Sequence, residues 1–138
     1  MAIPAELEAG LSEPIGQFND RYAKVLALID CFSEARYDDM LQYFAPGAVT
    51  VQHLGAYAGR EITVSEKTVA FMTKHNPPCR YSNRRQTFAH DRFVEQHTVT
   101  WPQVDDRAGQ SIETVLVVSL DGSGRVTRLE EYGDPATL

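Results

Sequence analysis

Along residues 93–101 (Phe-Val-Glu-Gln-His-Thr-Val-Thr-Trp) the side chains alternate between two faces with the period of a β-strand. One face carries Phe93, Glu95, His97, Val99 and Trp101, and the other carries Val94, Gln96, Thr98 and Thr100. The first set is the bulkier and is assigned to the interior. A plain core strand is ill served by His and Glu, because a buried polar group without a partner is costly. The wall of an apolar pocket holding a few polar groups suits them better.

The first half of the chain has a helical period instead. Ser12 and Pro14 suit the start of a helix near Glu13. Phe18, Tyr22, Val25, Ile29 and Phe32 then recur at spacings of four, three, four and three, with Leu26 and Leu28 widening the stripe. A short helix is predicted over 37–44, stopped by Ala45-Pro46-Gly47, and a strand over 48–53 with Val49, Val51 and His53 on one face. Thr63-Val-Ser-Glu66 has the form of a capping box and predicts a helix to about His75, ended by Asn76-Pro77-Pro78. Beyond Pro78 the period is two throughout: strands over 80–88, 93–101, 112–120 and 125–132, with turns at Asp91-Arg92 and 121–124 and a polar loop over 102–110. Helices followed by an antiparallel meander predict an α+β domain, with helices on one face of the sheet.

Composition narrows the function classes. A chain of 138 residues with 43% hydrophobic and 23% charged positions is expected to form one domain over 1–138, with residues 1–12 a flexible arm. A net charge of −6 argues against a grip on nucleic acid, and the arginines at 80, 84 and 85 are read as an exposed strand face. No apolar run is long enough for a bilayer, so no membrane partner is expected. The opening MAIPAELEAG is acidic where a secretory signal would be basic, which suggests a cytoplasmic protein. Cys31 and Cys79 lack zinc or disulfide spacing and are read as small buried hydrophobes.

Several phrases carry a resemblance. Tyr-Phe-Ala-Pro at 43–46, Ala-Val-Thr-Val-Gln-His at 48–53, Gly-Arg-Glu at 59–61 and Gly-Arg-Val-Thr-Arg-Leu-Glu-Glu-Tyr-Gly-Asp-Pro at 124–135, in this order of elements, resemble the NTF2-like superfamily and its SnoaL-like branch. That branch also holds ketosteroid isomerases, limonene-epoxide hydrolases and scytalone dehydratases. The resemblance implies a cone of about three helices on a strongly curved, mainly antiparallel sheet enclosing an apolar cavity, commonly dimeric. It implies no single reaction, since such pockets host many chemistries. His53 falls where the isomerases carry a carboxylate base, whereas Leu28 and Leu116 fall on their oxyanion donors, so that oxyanion hole is absent. Glu131 falls on one aspartate of the epoxide hydrolases, with His97 and Val99 in place of their arginine and second aspartate.

Strand parity independently turns His53, His97 and Glu131 toward the same kind of face, where two imidazoles and a carboxylate would perturb one another. Three alternatives stand beside this. His53 at its strand end would face solvent, His97 would be a core histidine bonded to Glu95 or a tyrosine, or a one-residue slip would exchange Glu131 with Glu130. Tyr22, Val51, Tyr57, Val99, Trp101, Leu116 and Leu129 are the expected pocket residues. Ligand spacing typical of a metal site is missing, and no metal or cofactor is expected. The leading expectation is a homodimeric, cofactor-independent lyase or isomerase acting on a small hydrophobic, cyclic or aromatic molecule. Epoxide hydrolysis and a non-catalytic binding module are the alternatives.

Overall fold

The computed structural model describes residues 15–53, 58–76, 78–89, 91–102 and 109–133. The expected arm over 1–12, the Ser12 cap, Tyr57 and residues 103–108 of the polar loop lie outside them. Helix α1 (Ile15–Ser33) is followed by a 3-10 helix (Tyr37–Tyr43), β1 (Phe44–Gln52), β2 (Glu61–Thr63), α2 (Glu66–His75), β3 (Arg80–Phe88), β4 (Arg92–Trp101), β5 (Gln110–Leu120) and β6 (Val126–Gly133). The strands form one curved, unclosed sheet in the order β2-β1-β6-β5-β4-β3. All neighbours are antiparallel except β1 and β6, which run parallel. The α+β architecture thus follows from the switch of period at Pro78.

The predicted stripe of α1 is its buried face: Val25, Leu28 and Ile29 are at most 1% exposed and pack with Phe93, Leu116, Val118 and Leu129. Burying each such side chain contributes about 1.5–3 kcal/mol, enough to seat the helix on the sheet. The 3-10 helix buries Tyr37 and Met40 and leaves Asp38 and Asp39 in its first turn, where they favour the helix dipole. Helix α2 starts two residues later than the capping-box reading implied. Ser65 is the N-cap: its Oγ accepts from the Lys67 N–H at 3.2 Å, and Thr68 Oγ1 accepts from the Ser65 N–H at 3.0 Å. Thr63 instead closes β2, a short strand that the sequence pattern did not show.

The β5–β6 hairpin is fixed by Asp121, whose Oδ1 accepts from the Ser123 N–H, the Ser123 hydroxyl and the Arg125 N–H at 2.9, 2.7 and 3.0 Å. Gly124 lies there at φ +85°, and a Cβ on it would come within 2.7 Å of Arg21 Cγ, so only glycine lets the turn lie against α1.

Ladder register defines the inner face. Phe93 pairs with Val118, Glu95 with Leu116, His97 with Thr114 and Val99 with Ile112, while Leu116 and Val118 in turn pair with Glu131 and Leu129. Strand β1 departs from the sequence reading. Its parallel register sets Thr50 beside Leu129 and Gln52 beside Glu131, and Val51 beside Glu130. Ala48, two positions before Thr50, joins the core cluster, so Val49, Val51 and His53 belong to the outer face. Val51 is nevertheless only 3% exposed, because its neighbours Glu61 and Glu130 are bridged over that face by Arg128. Among the described residues no helix is long and apolar enough to cross a membrane.

Candidate functional site

Strand β4 delivers Glu95 and His97 to the interior two residues apart, with side chains 0% exposed. His97 Nδ1 and Glu95 Oε2 are 2.6 Å apart. The other carboxylate oxygen accepts from Gln86 Nε2 at 2.7 Å and from Arg84 Nε at 3.0 Å. Burial alone would raise the affinity of Glu95 for a proton. The hydrogen bonds from His97, Gln86 and Arg84 outweigh it and hold the carboxyl below its ordinary value. Glu95 is therefore an anion at neutral pH, and the Nδ1 atom of His97 carries the hydrogen that it accepts.

The other ring nitrogen of His97, Nε2, is buried and has no hydrogen-bond partner among the described residues. Tyr81 lies flat on the imidazole, with centroids 3.9 Å apart and planes 18° apart. A core histidine placed only for packing would not leave a ring nitrogen unsatisfied, since that costs about 1–3 kcal/mol.

Glu131, on β6 and directly beside Leu116 in the ladder, is the second acid of this face. It is half-buried, its carboxyl has no hydrogen-bond partner among the described residues, and burial raises its proton affinity, with His97 pulling the other way. Its field is felt by its neighbours. Burial and Glu131 together push the Tyr81 phenol well above its ordinary value and the Cys79 thiol upward. Burial, seconded by Cys79, also raises the Tyr37 phenol. One end of the inner face thus gathers His97, Glu131, Tyr81, Cys79 and Tyr37.

His53 is not among them. It stands on the outer face, stacked on Tyr132 at a centroid distance of 4.2 Å, with Nε2 3.9 Å from Glu130 Oε2. Glu130 points outward with it, bonded by Arg128 Nε at 2.6 Å and Tyr132 Oη at 2.8 Å. Of the expected pocket residues, Val99, Leu116 and Leu129 are buried on the inner face and Trp101 is half-buried at the end of β4. Tyr22 is half-buried between the rings of Phe88 and Phe93, at 4.5 and 5.7 Å, and donates to Gln86 Oε1 at 2.5 Å. Val51 lies on the outer face.

Tyr81, Arg84 and Gln86 were missed by pattern reading. The arginine cluster proves not to be a uniformly exposed face: Arg80 and Arg85 are exposed, but Arg84 turns inward and bonds both Glu95 and, through Nη1, Asp30 of α1 at 3.0 Å. No group of three or more His, Cys, Asp or Glu among the described residues is arranged to hold a metal ion. A surface groove of about 610 Å³ between the 3-10 helix and α2, lined by Leu41, Val69 and Ala70 among others, contains none of the expected site residues.

No family model matches the sequence, and no curated protein matches it either. Solved structures do. A provisionally named SnoaL-like polyketide cyclase from Shewanella putrefaciens CN-32 superposes with a TM-score of 0.72 over 99% of this chain and 93% of its own, at 14% identity. Another provisionally named SnoaL-like cyclase, from Jannaschia sp. CCS1, gives 0.68 over 84% and 86% at 18% identity. An NTF2-like protein of unknown function from Burkholderia xenovorans LB400 gives 0.70 over 86% and 85% at 12% identity. Identities this low speak for the fold alone. The chain has the NTF2-like fold.

Proposed function

We propose that the protein is a cofactor-independent lyase or isomerase that moves protons on a small hydrophobic, cyclic or aromatic substrate, with His97 as base and Glu131 as acid. The observation that carries this reading is the bare, buried Nε2 of His97 on the same face as a carboxyl whose proton affinity burial raises. Glu95 holds the Nδ1–H, so the Nε2 lone pair is free to take a proton from carbon next to a carbonyl. Glu131 gives its proton to the carbonyl oxygen in an isomerisation, or to a departing hydroxyl in a dehydration. The enzyme is then reset by passing the proton from Nε2–H back to the carboxylate, directly or through product. The resemblance implied His53 as the base and His97, held by Glu131, as the acid; in this proposal the base is His97, held by Glu95, and the acid is Glu131.

A binding module without turnover is the second reading, favoured by Leu116 and Leu129 being packed in the core cluster. Epoxide hydrolysis draws less support, because the nearby guanidinium of Arg84 is engaged by Glu95 and Asp30. The test is a panel of cyclic ketones, β-hydroxy ketones and epoxides followed by NMR in deuterium oxide. Deuterium uptake next to the carbonyl, or loss of water, that disappears in His97→Asn supports the proposal. Binding without exchange would favour the module, and incorporation of solvent oxygen from an epoxide would favour hydrolysis.

A further inference from the structure

Strand β3 contains an irregularity at the level of the site. Ser82 pairs with Thr98, yet the next pair is Arg85 with Gln96, so Asn83 and Arg84 together stand opposite the single residue His97. Asn83 has φ +52°, in the left-handed region that asparagine tolerates better than most side chains. The extra residue changes the phase of the strand. Arg84, Gln86 and Phe88 share one parity, and in an unbroken strand Tyr81 would face the other way. With the bulge, Tyr81 pairs with inward Val99 and stacks on His97, while Arg84 reaches Glu95 from the same side.

We propose that Arg84, presented by the Asn83 bulge, is a positioning residue for His97: it pins Glu95 against α1 and so fixes which ring nitrogen of His97 carries the hydrogen. Arg84 touches neither His97 nor the site of proton transfer. Its Nε donates to Glu95 Oε1 and its Nη1 to Asp30 Oδ1, both at 3.0 Å, so the guanidinium ties the strand to the helix through two carboxylates. Glu95 in turn presents its remaining oxygen to Nδ1 at 2.6 Å. Loss of Arg84 removes a cation bonded to a fully buried carboxylate, leaving Gln86 and His97 as its donors among the described residues. The proton that Glu95 then draws comes most readily from the imidazole or from solvent, and either transfer ends the single-tautomer state.

The inference rests on the proposed role of His97 only for its catalytic meaning; the tautomer itself is read without turnover. The experiment is a long-range ¹H–¹⁵N correlation spectrum of the full chain at neutral pH. The wild type should show the neutral Nδ1–H form, with Nε2 resonating as a bare nitrogen. Arg84→Met should collapse that pattern toward averaged or Nε2–H shifts, and Arg84→Lys should restore part of it. If a substrate is in hand, kcat should fall about 10- to 100-fold with KM within about twofold, the range in which loss of an outer-shell partner of a functional His acts. Should Arg84→Met not fold, Asp30→Asn, at a partly exposed position on α1, carries the same test with a smaller shift in the same direction. An unchanged Nδ1–H pattern in the folded variant would overturn the inference. A changed pattern in a protein that turns nothing over would leave the inference standing and sink the catalytic reading.

Discussion

Glu95 and Glu131 occupy equivalent places on the inner face, one on either side of Leu116 in the ladders of β5, and their proton affinities move in opposite directions. Both are desolvated, Glu95 wholly and the half-buried Glu131 in part. What separates them is the number of donors: three groups reach Glu95, and none among the described residues reaches the Glu131 carboxyl. Desolvation without donors raises a carboxyl's proton affinity, and three donors reverse that shift. Having one carboxyl of each kind about two strand widths apart, with an imidazole on the same face, is an arrangement suited to acid/base chemistry.

The largest expected effect comes from abolishing the difference on the acid side. Glu131→Gln or His97→Asn should lower turnover by about 10²–10⁴-fold with ligand affinity retained, as measured by steady-state kinetics and by calorimetric titration of the same ligand. Next is stability on the anion side. Glu95→Leu removes the partner of both Arg84 and His97 and should cost about 3 kcal/mol in urea unfolding, the low end for a broken buried pair because Arg84 keeps Asp30 and some solvent.

The pH dependence of stability should then have opposite signs at the two acids. The folded-state value of Glu131 is raised above the ordinary 4.5, so its favourable contribution is present below that value and fades as pH rises through the raised one. Glu95 is lowered from 4.5, so its contribution is present above that value and is lost as pH falls through the lowered one. Stability measured against pH for Glu131→Gln should therefore lack a loss on the alkaline side that the wild type shows, and Glu95→Gln should lack one on the acid side. The smallest effect is reserved for the outer face. His53→Asn should leave turnover unchanged and shift stability by less than about 0.5 kcal/mol, as at other surface positions. A large loss of activity there would return His53 to the site.

How much of this was legible depends on whether the information is local. Strand β4 declares its inner face through strict alternation, and Glu95 beside His97 two residues on can be read directly from that pattern. The parity of β6 likewise sets Glu131 apart from Glu130. Strand β1 misled, because its bulkier side, Val49 and Val51, is the outer one. Its neighbour in the sheet is β6, far along the chain, and the ion pairs of Arg128 with Glu61 and Glu130 cover Val51. Nothing within residues 48–53 records that parallel crossover. Arg84 and Tyr81 were hidden by a different cause: a one-residue bulge shifts the alternation, and only the positive φ of Asn83 marks the place. Strand β2 is three exposed residues with no pattern to read.

The central claim is that the proton affinities of the two inner-face acids are shifted in opposite directions, and it can be read directly from the ¹³C carboxyl shifts of Glu95 and Glu131 followed by NMR from acid to neutral pH. The account predicts that Glu131 titrates above 4.5 and Glu95 below it, with Glu131→Gln removing the upper transition alone. A Glu131 that titrates at or below 4.5 would contradict the account, because the inner face would then hold no carboxyl of raised proton affinity to exchange a proton with His97.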